Sequence, residues 1–196
     1  MNAKPVKLER RAAVKRLLAD RENVLTISSL GGPAYDVAAA TGETPQDFCL
    51  GGAMGGAAMM GLGLAIAQPG KRVAVFAGDG ETLMALGALA TIGAHKPANL
   101  IIVVIDNEYY AETGMQQTHT GRGVDVAGVA LACGFAEART VRTEAELEAA
   151  VPLIKGGKGP LLVSLKVDNN SPPLFARERD GVYLKTRFRQ ALLGRI

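Results

Sequence analysis

Gly78-Asp79-Gly80 and Asp106-Asn107 hold oxygen donors of the kind that bind a hard cation. Mg²⁺ takes few protein ligands and leaves its other positions to phosphate and water. One carboxylate, one amide oxygen and a backbone carbonyl therefore suffice for a metal–phosphate site. Gly80 opens a helix, and the amides at a helix N-terminus favour phosphate. Each motif also has a plainer reading: a strand-to-helix turn with Asp79 as N-cap, and a polar loop at Asp106-Asn107. What joins them is position. Each directly follows an apolar run, and Asn107 lies 28 positions after Asp79. That is about one crossover helix with its turns, so adjacent parallel strands would bring the two side chains together.

The elements that must position them are read from apolar pattern and punctuation. Residues 6–19 place Val6, Val14, Leu17 and Leu18 at helical spacing. Asn23–Ile27 is a short buried strand running into the turn SSLGGP, where Gly31, Gly32 and Pro33 punctuate the chain. A weak helix over Ala34–Ala40 and a short strand at Phe48-Cys49-Leu50 follow. Gly51–Ala67 reads as one helix, apolar all round and hence buried. Arg72–Phe76 is a strand, Glu81–Ile92 a single helix, and Leu100–Ile105 (LIIVVI) the clearest strand in the chain. Beyond a loop from Asp106 to about Val124 come a helix at 125–133, a strand at Glu137–Val141, a helix at 143–155 and a last strand at Pro160–Val167. Continuous apolar strands alternating with helices predict an α/β fold, a doubly wound, mostly parallel sheet with helices on both faces. In such sheets ligands sit at the carboxyl ends of the strands, near a topological switch point. No repeat or linker divides the chain, so residues 1–196 are expected to form one domain with a basic tail at 168–196.

Composition narrows the function classes. At 196 residues and 48% hydrophobic content the chain can bury a full core. Its 24 glycines cluster at 51–63 and 78–80, where backbone must approach something closely. Cys49 and Cys133 form no metal-ligand or disulfide pattern and are expected as buried small apolar residues. The charged N-terminus lacks the apolar core of a signal peptide, and no run reaches a membrane span. A cytoplasmic protein without membrane contact is expected. A net charge of +3 with 5% aromatic residues gives no reason to expect nucleic-acid binding.

The GDG motif, followed after one crossover by a strand ending in DN, resembles the diphosphate-binding signature of thiamine-diphosphate enzymes. From CLGGAMGG through LGALATIG to DNEYYAETGMQ, the chain is similar to sulfopyruvate decarboxylase β subunits and to the C-terminal part of phosphonopyruvate decarboxylases. The likeness spans about residues 23–135. It implies that Asp79, the Asn107 side chain and the Tyr109 carbonyl ligate Mg²⁺. It also implies that the Gly80 and Glu81 amides hold the diphosphate, with Gly78 beside them and Gly31 and Gly32 on a loop that touches it. Related chains usually have a small residue where Glu81 stands; a carboxylate there is unfavourable beside a diphosphate unless it turns away. Gly52-Ala53-Met54-Gly55 resembles the element that bends the cofactor, with Met54 wedged between the two rings and the Gly52 carbonyl accepting from the 4′-amino group. Ala111, Glu112 and Thr113 are further cofactor contacts, and Thr113, Gly114 and Gln116 resemble a segment facing the substrate end.

The resemblance further implies a second domain that supplies an activating glutamate to the aminopyrimidine ring. None is expected within this sequence, so a partner α subunit carrying the pyrimidine-binding domain, and hence a hetero-oligomer, is expected. The implied activity is non-oxidative decarboxylation of a small anionic 2-oxoacid to an aldehyde. A carboligase or lyase of the acetolactate-synthase type, and a non-catalytic cofactor-binding subunit, are the alternatives. His119 is either a proton-transfer group or a solvated loop residue, and Arg122 either an anchor for an anionic tail or a surface arginine. His95 caps a helix C-terminus. In the basic tail, Phe188 and Leu192 at i and i+4 predict an amphipathic helix.

Overall fold

A computed structural model describes residues 7–194. Val6, expected to open the first helix, lies outside the described residues, as do the last two positions of the tail. Helix α1 (Arg10–Leu18) is capped by Glu9, whose carboxylate accepts the Arg11 and Ala12 amides. In chain order there follow β1 (Val24–Ser28), α2 (Gly32–Thr41), β2 (Asp47–Cys49), α3 (Gly56–Ala67), β3 (Arg72–Gly78), α4 (Asp79–Met84) and α5 (Gly87–His95). Next come β4 (Leu100–Asp106), a small hairpin of β5 (Tyr109–Tyr110) and β6 (Gln116–Gln117), α6 (Val126–Ala132) and β7 (Glu137–Val141). α7 (Glu144–Gly156), β8 (Leu161–Lys166) and α8 (Gly181–Leu193) complete the chain.

Six strands form one parallel sheet in the order β2-β1-β3-β4-β8-β7. Alternate residues along the central strands supply two separate cores. Ala74 and Phe76 of β3 and Ile101, Val103 and Ile105 of β4 pack with α1, α2 and α7. Val73, Val75 and Ala77, with Leu100, Ile102 and Val104, pack on the opposite face with α3, α5 and α6. This two-sided burial explains why β3 and β4 read as unbroken apolar runs. From β1 the chain runs outward to β2, then returns across to β3, so the switch point lies between β1 and β3.

Several elements differ from the sequence-based expectation. The helix expected over Gly51–Ala67 begins only at Gly56, because Gly51 and Gly55 adopt left-handed backbone (φ 78° and 83°) that cannot continue a right-handed helix. Nor is it buried all round: it buries Ala57, Gly61, Leu62 and Ala65 but leaves Met59 and Ile66 exposed. The single helix expected over Glu81–Ile92 is two, broken at Ala85-Leu86. Gly55 packs against that break, so closely that a Cβ on it would meet the Ala85 Cβ at 2.6 Å. The loop expected between Asp106 and Val124 contains the β5–β6 hairpin and two 3₁₀ turns, Ala111–Thr113 and His119–Arg122. In the tail, α8 packs through Leu184, and Phe188 meets Phe48 edge-on with ring centroids 5.7 Å apart. Cys49 and Cys133 are half-buried free thiols rather than fully buried residues; the Cys49 thiol donates to the Ser29 carbonyl.

Candidate active site

The turn after β1, the β3–α4 junction and the end of β4 converge on one cavity of about 470 Å³ at the carboxyl edge of the sheet. This is the place where doubly wound sheets bind ligands. Asp79 follows β3 directly. Gly78 occupies the N-cap position instead of Asp79, so the Asp79 carboxylate is not used up in capping. It is 2% exposed, and its Oδ2 accepts the hydroxyls of Thr118 (2.5 Å) and Thr120 (3.1 Å). Oδ1 accepts no other side chain's hydrogen among the described residues. Burial pushes the Asp79 pKa up to about 6; the nearby Asp106 adds to the rise, and the two threonine hydroxyls oppose it.

Across the sheet, Gly78 is in register with Ile105, which brings the ends of β3 and β4 side by side. Asn107 follows and is buried, and its Oδ1 accepts the Tyr109 amide at 3.1 Å, which fixes the orientation of the amide group. Between them Glu108 takes a left-handed conformation (φ 70°) and turns the chain into the β5–β6 hairpin. Glu108 accepts Lys7 (2.7 Å) and Lys166 (3.1 Å), and Lys166 also pairs with Asp106 at 2.7 Å. Thr120 completes the network, its one hydroxyl proton shared between Asp79 Oδ2 at 3.1 Å and the nearer Asp106 Oδ1 at 2.7 Å. This wall of the cavity is therefore held by charged and hydroxyl groups behind it.

Gly80 is required by space: a Cβ there would meet the Tyr110 ring at 2.4 Å. Gly31 is required twice over. Its φ is 63°, and a Cβ would meet the Glu112 carboxylate at 2.8 Å. Glu81 is 4% exposed; burial raises its pKa to about 7, against which the nearby Ser29 hydroxyl acts.

Gly31, Gly32, Met54, Gly78, Asp79, Gly80, Glu81, Asn107, Tyr109, Ala111, Glu112 and Thr113 all line the cavity, and Gln116 with them. Gly52 does not: it lies on the exposed turn beside Met54, with open space around it. Met54, 42% exposed, and Met84, 63% exposed, form an open apolar rim. Gly114, His119 and Arg122 stand outside the lining, and the latter two are exposed. His95 sits exposed in the last turn of α5. A second cavity of about 440 Å³ shares Leu30, Gly31 and Glu112 with the first and is faced by Arg177 and Arg179 of the tail.

The sequence reading missed Thr118, Thr120, Ser29 and Arg10. In QTHT the two threonines alternate with His119, which is the pattern of one side turned inward; the histidine drew attention to the outward one. No cluster of three or more His, Cys, Asp or Glu able to hold a metal occurs among the described residues. Where β3 and β4 end, the Asp79 carboxylate, the Asn107 amide oxygen and the Tyr109 carbonyl offer a hard, oxygen-only set that fits Mg²⁺ together with phosphate.

Comparison with known proteins agrees with this geometry. The family described as thiamine pyrophosphate enzyme, C-terminal TPP binding domain, matches residues 30–165. Phosphonopyruvate decarboxylase of Streptomyces viridochromogenes is 38% identical over 165 residues, covering 84% of this chain and 40% of that protein. Sulfopyruvate decarboxylase subunit beta of Methanothermobacter thermautotrophicus is 43% identical over 128 residues, 65% of this chain and 68% of the relative. The corresponding subunit of Methanococcus maripaludis is 30% identical, with 82% and 85% covered. The chain thus spans about two fifths of the length of the phosphonopyruvate decarboxylases and most of the length of the beta subunits. In fold, the chain superposes on thiamine diphosphate-dependent 4-hydroxybenzoylformate decarboxylase of Rhodococcus jostii with a TM-score of 0.71 at 15% identity, over 87% of this chain and 34% of that one. The chain belongs to the thiamine pyrophosphate enzymes and carries their C-terminal cofactor-binding domain.

Proposed function

We propose that this chain is the diphosphate-binding (β) subunit of a thiamine-diphosphate- and Mg²⁺-dependent decarboxylase that removes CO₂ from a small anionic 2-oxoacid and releases an aldehyde. The observation that carries the reading is the convergence of Asp79, Asn107 and Tyr109 on one cavity at the switch point. The likeness to relatives named decarboxylases supports the same reading. When bound, thiamine diphosphate supplies an electron sink for the pair left behind by CO₂.

Each residue then has a task. The Asp79 carboxylate, Asn107 amide oxygen and Tyr109 carbonyl would hold Mg²⁺. Thr118 and Thr120 keep Asp79 in place through its other oxygen. The backbone at Gly78, Gly80 and Glu81 and the Gly31-Gly32 turn would receive the diphosphate; their missing or crowded-out side chains leave the backbone approachable. Met54 at the rim would support the ring system. The Gly52 carbonyl, on the same turn, would serve the aminopyrimidine only with that turn drawn toward the cavity. Ala111, Glu112 and Thr113 would face the reacting end.

The open apolar rim at Met54 and Met84 is where a partner α subunit with the pyrimidine-binding domain would close the site, and three relatives are named as beta subunits. No helix among the described residues is long and apolar enough to cross a membrane. Nothing in the charge calls for nucleic acid, and a cytoplasmic location fits both. The test is to co-purify the chain with the product of the neighbouring reading frame, add thiamine diphosphate and Mg²⁺, and screen 2-oxoacids for CO₂ and aldehyde. Release of both is expected from the pair and not from the chain alone. An acyloin in place of the aldehyde would convert the reading to a carboligase, and no turnover of any 2-oxoacid would refute it.

A further inference from the structure

Arg10 lies at the start of α1, outside residues 30–165 matched by the family, yet its side chain forms part of the wall of the 470 Å³ cavity. Among the described residues that line this cavity it is the only cation, facing the carboxyl groups of Asp79, Glu81 and Glu112. Its guanidinium is held in place. Nε is 2.5 Å from Asp36 Oδ2, with side-chain exposures of 12% and 0%. The approach is close as an ion pair but lacks the alignment of a hydrogen bond, so this buried Nε has no hydrogen-bond partner among the described residues. Asp36 Oδ1 is taken by Arg11 Nε at 3.1 Å, and Arg11 turns away to donate to the Pro173 carbonyl. Two guanidinium groups share one carboxylate, which leaves a net positive charge, and Arg10 delivers it to the cavity.

Gly32 makes that placement possible. A Cβ on Gly32 would lie 3.0 Å from Arg10 Nη1 and 3.2 Å from Cζ, so the guanidinium rests directly on glycine backbone in the cavity wall. A diphosphate carries more negative charge than one divalent ion neutralises, and carboxyl groups in the wall add to the imbalance. A guanidinium offers several N–H donors in a fixed plane suited to phosphate oxygens, at low hydration cost.

We propose that Arg10 is the protein's counter-charge for the cofactor's diphosphate, donating hydrogen bonds to phosphate oxygens beside the Gly31-Gly32 turn while Asp79 and Asn107 hold the metal. This rests on the thiamine-diphosphate reading above. Asp36 is the positioning residue that orients Arg10, and Gly32 gives it room.

The test is calorimetric titration of the chain with its co-purified partner subunit, in Mg²⁺, using thiamine diphosphate, inorganic pyrophosphate and unphosphorylated thiamine. Wild type is compared with Arg10→Lys, Arg10→Met and the double variant Arg10→Met/Asp36→Asn, which removes the pair together and leaves no unpaired buried carboxylate. Thermal melts confirm which variants are folded. A charge-assisted hydrogen bond is worth roughly 10- to 100-fold in affinity. Arg10→Met and the double variant should therefore weaken thiamine diphosphate and pyrophosphate by about that factor, with Arg10→Lys between them and wild type. Thiamine should bind all of them alike. A folded variant without Arg10 that binds the diphosphate within about two-fold of wild type overturns the proposal. So does an unchanged diphosphate affinity with only a raised KM for the 2-oxoacid, which would assign Arg10 to the substrate's anionic group. If wild type itself binds no thiamine diphosphate, the cofactor reading falls, and this inference with it.

Discussion

Asp79 is buried at a cost in stability. Its carboxyl has a native pKa of about 6 against an ordinary value of 3.8, so the folded chain holds the proton more tightly than the unfolded one. By linkage, its contribution to stability is most favourable below 3.8 and is lost as pH rises through about 6. Without metal, the ionised buried carboxylate therefore opposes folding at neutral pH. Asp79→Asn keeps an acceptor for Thr118 and Thr120 but removes the charge. It should raise the melting temperature of the metal-free chain at pH 7.5, by the equivalent of ~1–2 kcal/mol, and have little effect at pH 4. The same variant should lose the stabilisation given by thiamine diphosphate with Mg²⁺. A lowered melting temperature at pH 7.5 would contradict the sign. Gly80→Ala makes a second residue-scale prediction. Its Cβ would meet the Tyr110 ring, so either the hairpin or α4 must shift. Overpacking of this kind costs ~1–3 kcal/mol, and denaturant titration should show a loss in that range. An unchanged midpoint would mean that the ring moves freely.

At the scale of elements, the strands were readable because a parallel sheet buried on both faces demands unbroken apolar runs, as in RVAVFAG and LIIVVID. The elements that were not readable owe their form to distant contacts. Ala85 and Leu86 are ordinary helix formers, and the adjacent Gly87 alone does not announce the break that Gly55 packs against. Strands of two residues, such as β5 and β6, are too short to show any alternation. The inward turn of Thr118 and Thr120 rests on Asp79 and Asp106, up to 41 positions away. Thr118→Val/Thr120→Val removes both hydroxyls that donate to these two carboxylates while keeping side-chain shape. Loss of the hydroxyls should weaken Mg²⁺-dependent cofactor binding by roughly ten-fold or more, since each bond to a charged group contributes ~1.5–3 kcal/mol. Titration of the double variant with thiamine diphosphate checks this; wild-type affinity would show that Asp79 needs no such support.

At the scale of the molecule, the candidate site is one-sided. The residues proposed to hold diphosphate and metal line one cavity by the end of the sheet, and most could be placed there from sequence because they sit directly after strands in GDG and DN. Arg10 was not, because an arginine in a charged N-terminal helix looks like any solvated residue until the fold lays it over Gly32. The exposed Met54 and Met84 rim, and the Met59 and Ile66 face of α3, leave apolar surface where the proposed partner would dock. The chain alone should therefore release no CO₂ from 2-oxoacids under conditions where the assembled pair does. Turnover by the purified single chain would contradict the two-subunit architecture.

The most direct measurement of the central claim is calorimetric binding of thiamine diphosphate to the chain with its partner, in Mg²⁺ and in EDTA, for wild type and Asp79→Ala. Saturable binding to wild type that disappears in EDTA and in Asp79→Ala is the predicted result. Binding that survives both would place the cofactor somewhere other than the cavity built by Asp79 and Asn107.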